Sequence, residues 1–130
     1  MSDYELTDVA APAEKTVEAL RTELKQRGIT EYAVVDHGHD MAAAGVTAHP
    51  AWTLVFGNPA AGEALLAADL TAAVDIPLRL AVIGLGEHHS QIVIRPMETL
   101  LGDELGVIAE RLTTVLKSIA KGASEAVQGS

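Results

Sequence analysis

The clearest alternation of apolar and polar positions near the start of the chain is Tyr4 and Leu6 against Glu5 and Thr7. It predicts a strand over residues 4–9. From Ala13 the period changes. Ala13, Val17, Leu20 and Leu24 recur at steps of four, three and four on an otherwise charged segment. That is one apolar stripe of an amphipathic helix. Pro12 suits its first position, Glu14 its first turn and Gly28 its C-terminal cap. Residues 30–37 read as a second strand, with Tyr32 and Val34 on one face and Ala33 and Val35 on the other. The Ala-rich run from Asp40 to Gly45 predicts a helical turn opened by Asp40. Residues 52–56 form a short apolar strand, broken by Gly57-Asn58-Pro59. Asn58 as cap and Pro59 as first residue predict a helix to about Ala68, followed by another short helical turn to Asp75.

The second half reads as a hairpin and a helix. Residues 76–83 form one strand, with Pro77 at its start because it cannot donate to a ladder. Gly84-Leu85-Gly86-Glu87 is turn chemistry, and residues 88–95 return with Ile92 and Ile94 inward. Leu105, Ile108, Leu112, Val115 and Ile119 then fall at steps of three, four, three and four. This is the strongest helical signal in the chain. The expected fold is α+β: two layers, a mostly antiparallel sheet of about five strands, and two long amphipathic helices. The order is β-α-β-β-β-β-α, with short helices inserted between strands. Residues 1–121 read as one domain, and 122–130 as a flexible tail.

Composition narrows the function classes. Cysteine is absent, which excludes disulfides, thiolate nucleophiles and cysteine metal sites. Nine basic residues against eighteen acidic ones give a formal charge of -9, a field that repels phosphate backbones. Four aromatics (Tyr4, Tyr32, Trp52, Phe56) are too few for a base-stacking platform. No nucleic-acid partner is expected. The acidic start Met1-Ser2-Asp3-Tyr4-Glu5 has no basic or apolar region of a signal peptide. The most apolar stretch, residues 76–85, is interrupted by Arg79 and is far short of a bilayer span. The expected address is therefore cytoplasmic, without membrane contact.

The middle of the chain carries a compound motif. Val35-Asp36-His37, Gly45, Leu54-Val55-Phe56-Gly57-Asn58-Pro59, Gly62 and Asp75-Ile76-Pro77-Leu78 follow one another in this order. Together these blocks resemble the bacterial and archaeal domain-of-unknown-function 302 family. The resemblance covers most of the chain and implies a compact, self-associating α+β domain. It supplies no activity. One departure is Glu63, where the family usually has threonine after the glycine.

Several residues could carry chemistry. Gly57-Asn58-Pro59-Ala60-Ala61-Gly62 ends a strand and opens a helix, a geometry that exposes backbone N–H groups to an anion. Pro59 removes one donor and Glu63 adds negative charge, so a plain capped turn is the competing reading. His37, His39 and His49, with Asp36, form the only grouping suited to a divalent metal such as zinc or copper. The structural alternative is that Asp36 or Asp40 caps a helix and His37 bonds the backbone. His37 could also act as a base oriented by Asp36 or Asp75. No serine lies in a nucleophile-elbow context, and no phosphate-binding or dinucleotide glycine loop is present. No catalytic residue is assigned, and the balance leans away from an enzyme. Finally, Trp52-Thr-Leu-Val-Phe56 and much of residues 78–83 are apolar on both faces. A two-layer fold covers only one, so a second copy of the chain is the simplest cover for the other.

The expectation is a homodimeric domain that binds a small molecule or partner near Asp36, His37, Phe56, Gly57, Asn58, Gly62 and Asp75. The alternatives are a metal protein or enzyme built on Asp36, His37 and His39, and a purely structural interaction module.

Overall fold

A computed structural model describes residues 3–128. Five strands form one sheet: β1 (Glu5–Val9), β2 (Thr30–Asp36), β3 (Ala51–Gly57), β4 (Leu78–Gly84) and β5 (Ser90–Ile94). Their order is β1-β5-β4-β3-β2, and every neighbouring pair is antiparallel. β1 and β2 occupy opposite edges, so the helix between them, α1 (Ala13–Gln26), crosses the sheet. The last helix, α4 (Gly106–Gln128), packs beside α1 on the same face. The fold is α+β with an antiparallel sheet, as the periodicities indicate.

Strand alternation assigns the faces. Leu54 and Phe56, Leu80 and Val82, and Ile92 and Ile94 all point under the helices and are buried. They meet Val17, Leu20 and Leu24 of α1 and Leu116, Ile119 and Ala120 of α4 in one core. One polar pair is sealed within it. Thr16 and Ser90 are both fully buried, and their hydroxyls bond each other at 2.8 Å. α1 ends where expected: Gly28 adopts φ 69°, and Ile29 N–H donates to the Leu24 carbonyl at 2.9 Å. Glycine reaches that conformation without the Cβ clash other residues meet.

Three expectations need correction. β2 stops at Asp36, and α2 (His37–Ala43) begins at once. Its cap is Asp36, whose carboxylate accepts from His39 N–H at 2.9 Å, so Asp40 lies inside the helix. The stretch read as a flexible tail is the end of α4, which runs to Gln128 with Ala123 fully buried and Ser124 nearly so. Residues 129 and 130 lie outside the described residues. The apolar stripe of α4 is also rotated from the expected one. Ala109, Thr113, Leu116, Ala120 and Ala123 face the core, whereas Leu112 is half-buried and Val115 exposed.

β3 and β4 are adjacent, yet 20 residues (58–77) separate them. This excursion contains α3 (Pro59–Ala68) and a 3-10 turn (Leu70–Asp75), and returns through a cis Ile76–Pro77 peptide. Only Leu65 and Ala72 of those two elements are buried. Leu70 and Val74 are 77% and 79% exposed.

Candidate functional site

The excursion walls a cleft of about 960 Å³. Phe56 lines it and is itself fully buried. Leu65, Leu66 and Leu70 contribute from the excursion, Leu112 and Val115 from α4, and Tyr32 from β2. The Phe-Gly-Asn-Pro corner is part of the wall. Gly57 lets Tyr32 lie close, since a Cβ there would be 3.3 Å from its Cε2. Asn58 then starts α3 by capping it. Its Oδ1 accepts from Ala60 N–H at 3.0 Å, and its carbonyl accepts from Ala61 and Gly62 at 3.0 and 2.9 Å. The first-turn amides are thus spent on Asn58, which favours the capped-turn reading over an anion site. Gly62 sits against Ile76, with a hypothetical Cβ 3.8 Å from its Cδ1. Glu63 occupies an exposed part of the wall.

The cleft has one cation, Arg27, and it is engaged. Its Nε donates to Glu23 at 2.8 Å and its Nη2 to the Ser118 carbonyl at 3.0 Å. The Arg27 group therefore ties α1 to α4 and leaves the cleft surface dominated by hydrocarbon.

Of the residues singled out in the sequence, Phe56, Gly57, Asn58 and Gly62 line this cleft. Asp36, His37 and Asp75 do not. Asp36 caps α2, and His37 Nε2 shares a hydrogen bond of 2.7 Å with Thr53 Oγ1. Asp75 and Thr53 border a different pocket, on the sheet face opposite α1 and α4. The metal grouping is not assembled either. Because the strand ends at Asp36, His37 and His39 lie on a helix rather than on one strand face. His39 and His49 are exposed, and among the described residues no group of three or more His, Cys, Asp or Glu side chains could hold a metal ion. Asp75 forms no ion pair with Arg79 or Arg95.

Sequence reading missed Tyr32, Leu66, Leu70, Ile76, Leu112 and Val115 as cleft residues. The signal was available in α3, whose sequence Pro-Ala-Ala-Gly-Glu-Ala-Leu-Leu-Ala-Ala has one charge and no polar face. An apolar helix with one buried residue has a second apolar surface to account for.

Among the described residues, no helix is long and apolar enough to cross a membrane. The fold and the cleft define a small α+β domain with an antiparallel sheet, one helical layer and a hydrophobic cleft under a helical excursion. The family model described as Domain of unknown function DUF302 matches residues 6–126, and the chain belongs to that family. A crystal structure of an uncharacterized conserved DUF302 protein from Bacillus stearothermophilus superposes with a TM-score of 0.85. It covers 95% of this chain and 99% of that one at 20% identity, a likeness of fold. Among curated proteins, 65 residues are 32% identical to part of the fluoride-specific ion channel FluC 1 of Brucella suis biovar 1 (strain 1330). The same length is 32% identical to FluC 1 of Brucella abortus biovar 1 (strain 9-941). These matches take in 50% of this chain but 26% and 24% of those proteins, so the chain spans about a quarter of the curated relatives it matches.

Proposed function

We propose that the protein binds an uncharged, mostly apolar small molecule in the cleft beneath the 58–77 excursion and does not itself transform it. The observation that carries this reading is the lining. A cleft of about 960 Å³ has its one arginine spent on Glu23 and Ser118, while Leu66, Leu70, Ile76, Leu112 and Val115 present hydrocarbon. Ligand sites typically enclose about 300–1,000 Å³ and bind through apolar contact with few polar groups. The thin packing of the excursion supports entry, since segments with few buried contacts open at low free-energy cost. Titration with the neutral dye N-phenyl-1-naphthylamine tests the reading. Saturable fluorescence enhancement is expected, together with at least tenfold weaker binding in Val115→Lys. Val115 is 38% exposed, so the lysine charges the cleft without emptying the core. Equal dye affinity in the variant would refute the site.

The reading includes self-association through the sheet face opposite α1 and α4, with a second copy as the occupant. Thr53, Val55, Ala81, Ile83 and Val93 point that way and are half-buried. None of the outward positions of β3, β4 and β5 is a carboxylate, although the chain carries a net charge of -9. Arg79 is the one charged side chain among those positions, so two copies can meet there with little charge to desolvate. Light scattering at micromolar concentration should give twice 13.6 kDa. A monomer mass would remove this part and leave the cleft untouched.

A further inference from the structure

The sheet face opposite α1 and α4 is not uniformly apolar. In the β3–β4 ladder Val55 pairs with Arg79, in the β4–β5 ladder Ala81 pairs with Val93, and in the β1–β5 ladder Glu5 pairs with Ile94. Extending the last two registers places Arg79 opposite Arg95, and Arg95 opposite Tyr4. The latter contact is explicit. Arg95 lies 4.5 Å from the Tyr4 ring centroid, and its Nη2 donates to the Tyr4 hydroxyl at 2.7 Å. Two guanidinium groups therefore stand on neighbouring strands. Like charges directly opposite one another destabilise a sheet. Neither arginine forms an ion pair among the described residues.

A pocket of about 370 Å³ lies over this pair. Ala81 and Val93 continue its lining along the sheet, while Val74 and Asp75 come from the excursion and Leu100 from the connection after β5. Asp75 is half-buried, and among the described residues no ion pair engages its carboxylate. The pocket thus offers two cations, one acceptor and a short aliphatic wall.

We propose that this pocket binds a small organic acid whose carboxylate is held by Arg79 and Arg95, whose hydroxyl or ammonium group donates to Asp75, and whose aliphatic tail rests on Val74 and Leu100. The guanidinium fork matches a carboxylate in two-point geometry. Asp75 favours a monoanion bearing a donor over a phosphate dianion, which it would repel. The site is on the opposite side of the sheet from the hydrophobic cleft, so either can fail without the other, and because it shares Thr53, Ala81 and Val93 with the proposed contact between copies, acid binding and dimerisation compete.

The test is an NMR titration of the labelled protein with four probes: 2-hydroxy-4-methylpentanoate, L-leucine, 4-methylpentanoate and inorganic phosphate. Saturable shifts at Ala81 and Val93 are expected with the hydroxy acid, the amino acid or both. Binding of 4-methylpentanoate, which lacks the donor, should be several-fold weaker. Arg79→Gln should weaken the acids at least tenfold with an unchanged unfolding midpoint, because Arg79 is exposed. Arg79→Lys should weaken them less. Asp75→Asn should erase the preference for the donor-bearing acids. The proposal is overturned by the absence of shifts at Ala81 and Val93, by phosphate binding more tightly than the acids, or by unchanged affinity in Arg79→Gln. It is also overturned if Arg79→Gln dissolves a dimer and no acid binds. The arginines would then serve contact between copies.

Discussion

The sealed hydroxyl pair between α1 and β5 gives the most discriminating prediction. Thr16 and Ser90 are fully buried, 74 residues apart in sequence, and bond at 2.8 Å. Thr16→Val keeps the side-chain shape and leaves the Ser90 hydroxyl without that partner in the core. A buried polar group stripped of its partner costs about 1–3 kcal/mol, whereas removing both partners is close to neutral. Ser90→Ala should cost a similar amount, with a small further contribution from lost volume. The double variant Thr16→Val/Ser90→Ala should therefore lie within about 1 kcal/mol of the parent. The expected coupling, the two single losses together less the loss in the double variant, is at least about 1 kcal/mol, as contacting residues commonly display. With roughly 4 °C per kcal/mol for a chain of this size, single-variant losses of several degrees should be recovered in the double variant. Urea denaturation of the four proteins supplies the cycle. If the two losses simply add, the hydroxyls are not each other's partners, and the placement of α1 over β5 is wrong.

Three further outcomes follow from packing and charge. Leu116→Ala should cost about 2–5 kcal/mol, as for a core leucine, while Leu112→Ala at the half-buried cleft wall should cost less than half as much. Equal shifts in urea midpoint would contradict the rotation of α4 described above. Thr113 accepts from Met97 N–H at 2.8 Å and donates to Glu98, pinning the connection after β5 to α4. Thr113→Val should lower stability by about 1–3 kcal/mol by orphaning the Met97 amide, and the loss should appear first as faster amide exchange around residues 97–101. Acid should weaken the fold. The Asp8 carboxyl is held below its usual range by hydrogen bonds from Gln91 and then His89, Asp69 by Thr71, and Glu98 by Thr113. A lowered folded-state value favours the ionised form. Its contribution is complete above the ordinary carboxylate range near pH 4 and is lost as pH falls through the folded values. Unfolding midpoints that stayed flat below about pH 4 would refute these assignments.

Much of the fold was legible because most strands and helices keep one period throughout. The α1 stripe of Ala13, Val17, Leu20 and Leu24 is buried as its spacing implies, and Gly28 ends the helix. The α4 stripe was misjudged for a physical reason. Ranking by hydrophobicity selects the largest side chains, whereas α4 also buries the small residues Ala109, Ala120 and Ala123. Leu112 and Val115 were left for the cleft. Gly122 is where α4 borders α1, since a Cβ there would fall within 3 Å of the Glu23 carboxylate that holds Arg27. Small residues thus gave the packed end of α4 the composition of a frayed one. The candidate site was half legible. The Phe-Gly-Asn-Pro corner does line a cleft, but His37 and Asp75 lie across the sheet from it. A motif records order along the chain, and the side of the sheet a residue reaches depends on where β2 stops.

The placement of the 58–77 excursion separates two evolutionary demands. It leaves and rejoins the sheet between strands that remain fully laddered to each other, and it gives the core little beyond Leu65 and Ala72. Substitutions or changes of length there can accumulate without loosening the barrier to unfolding.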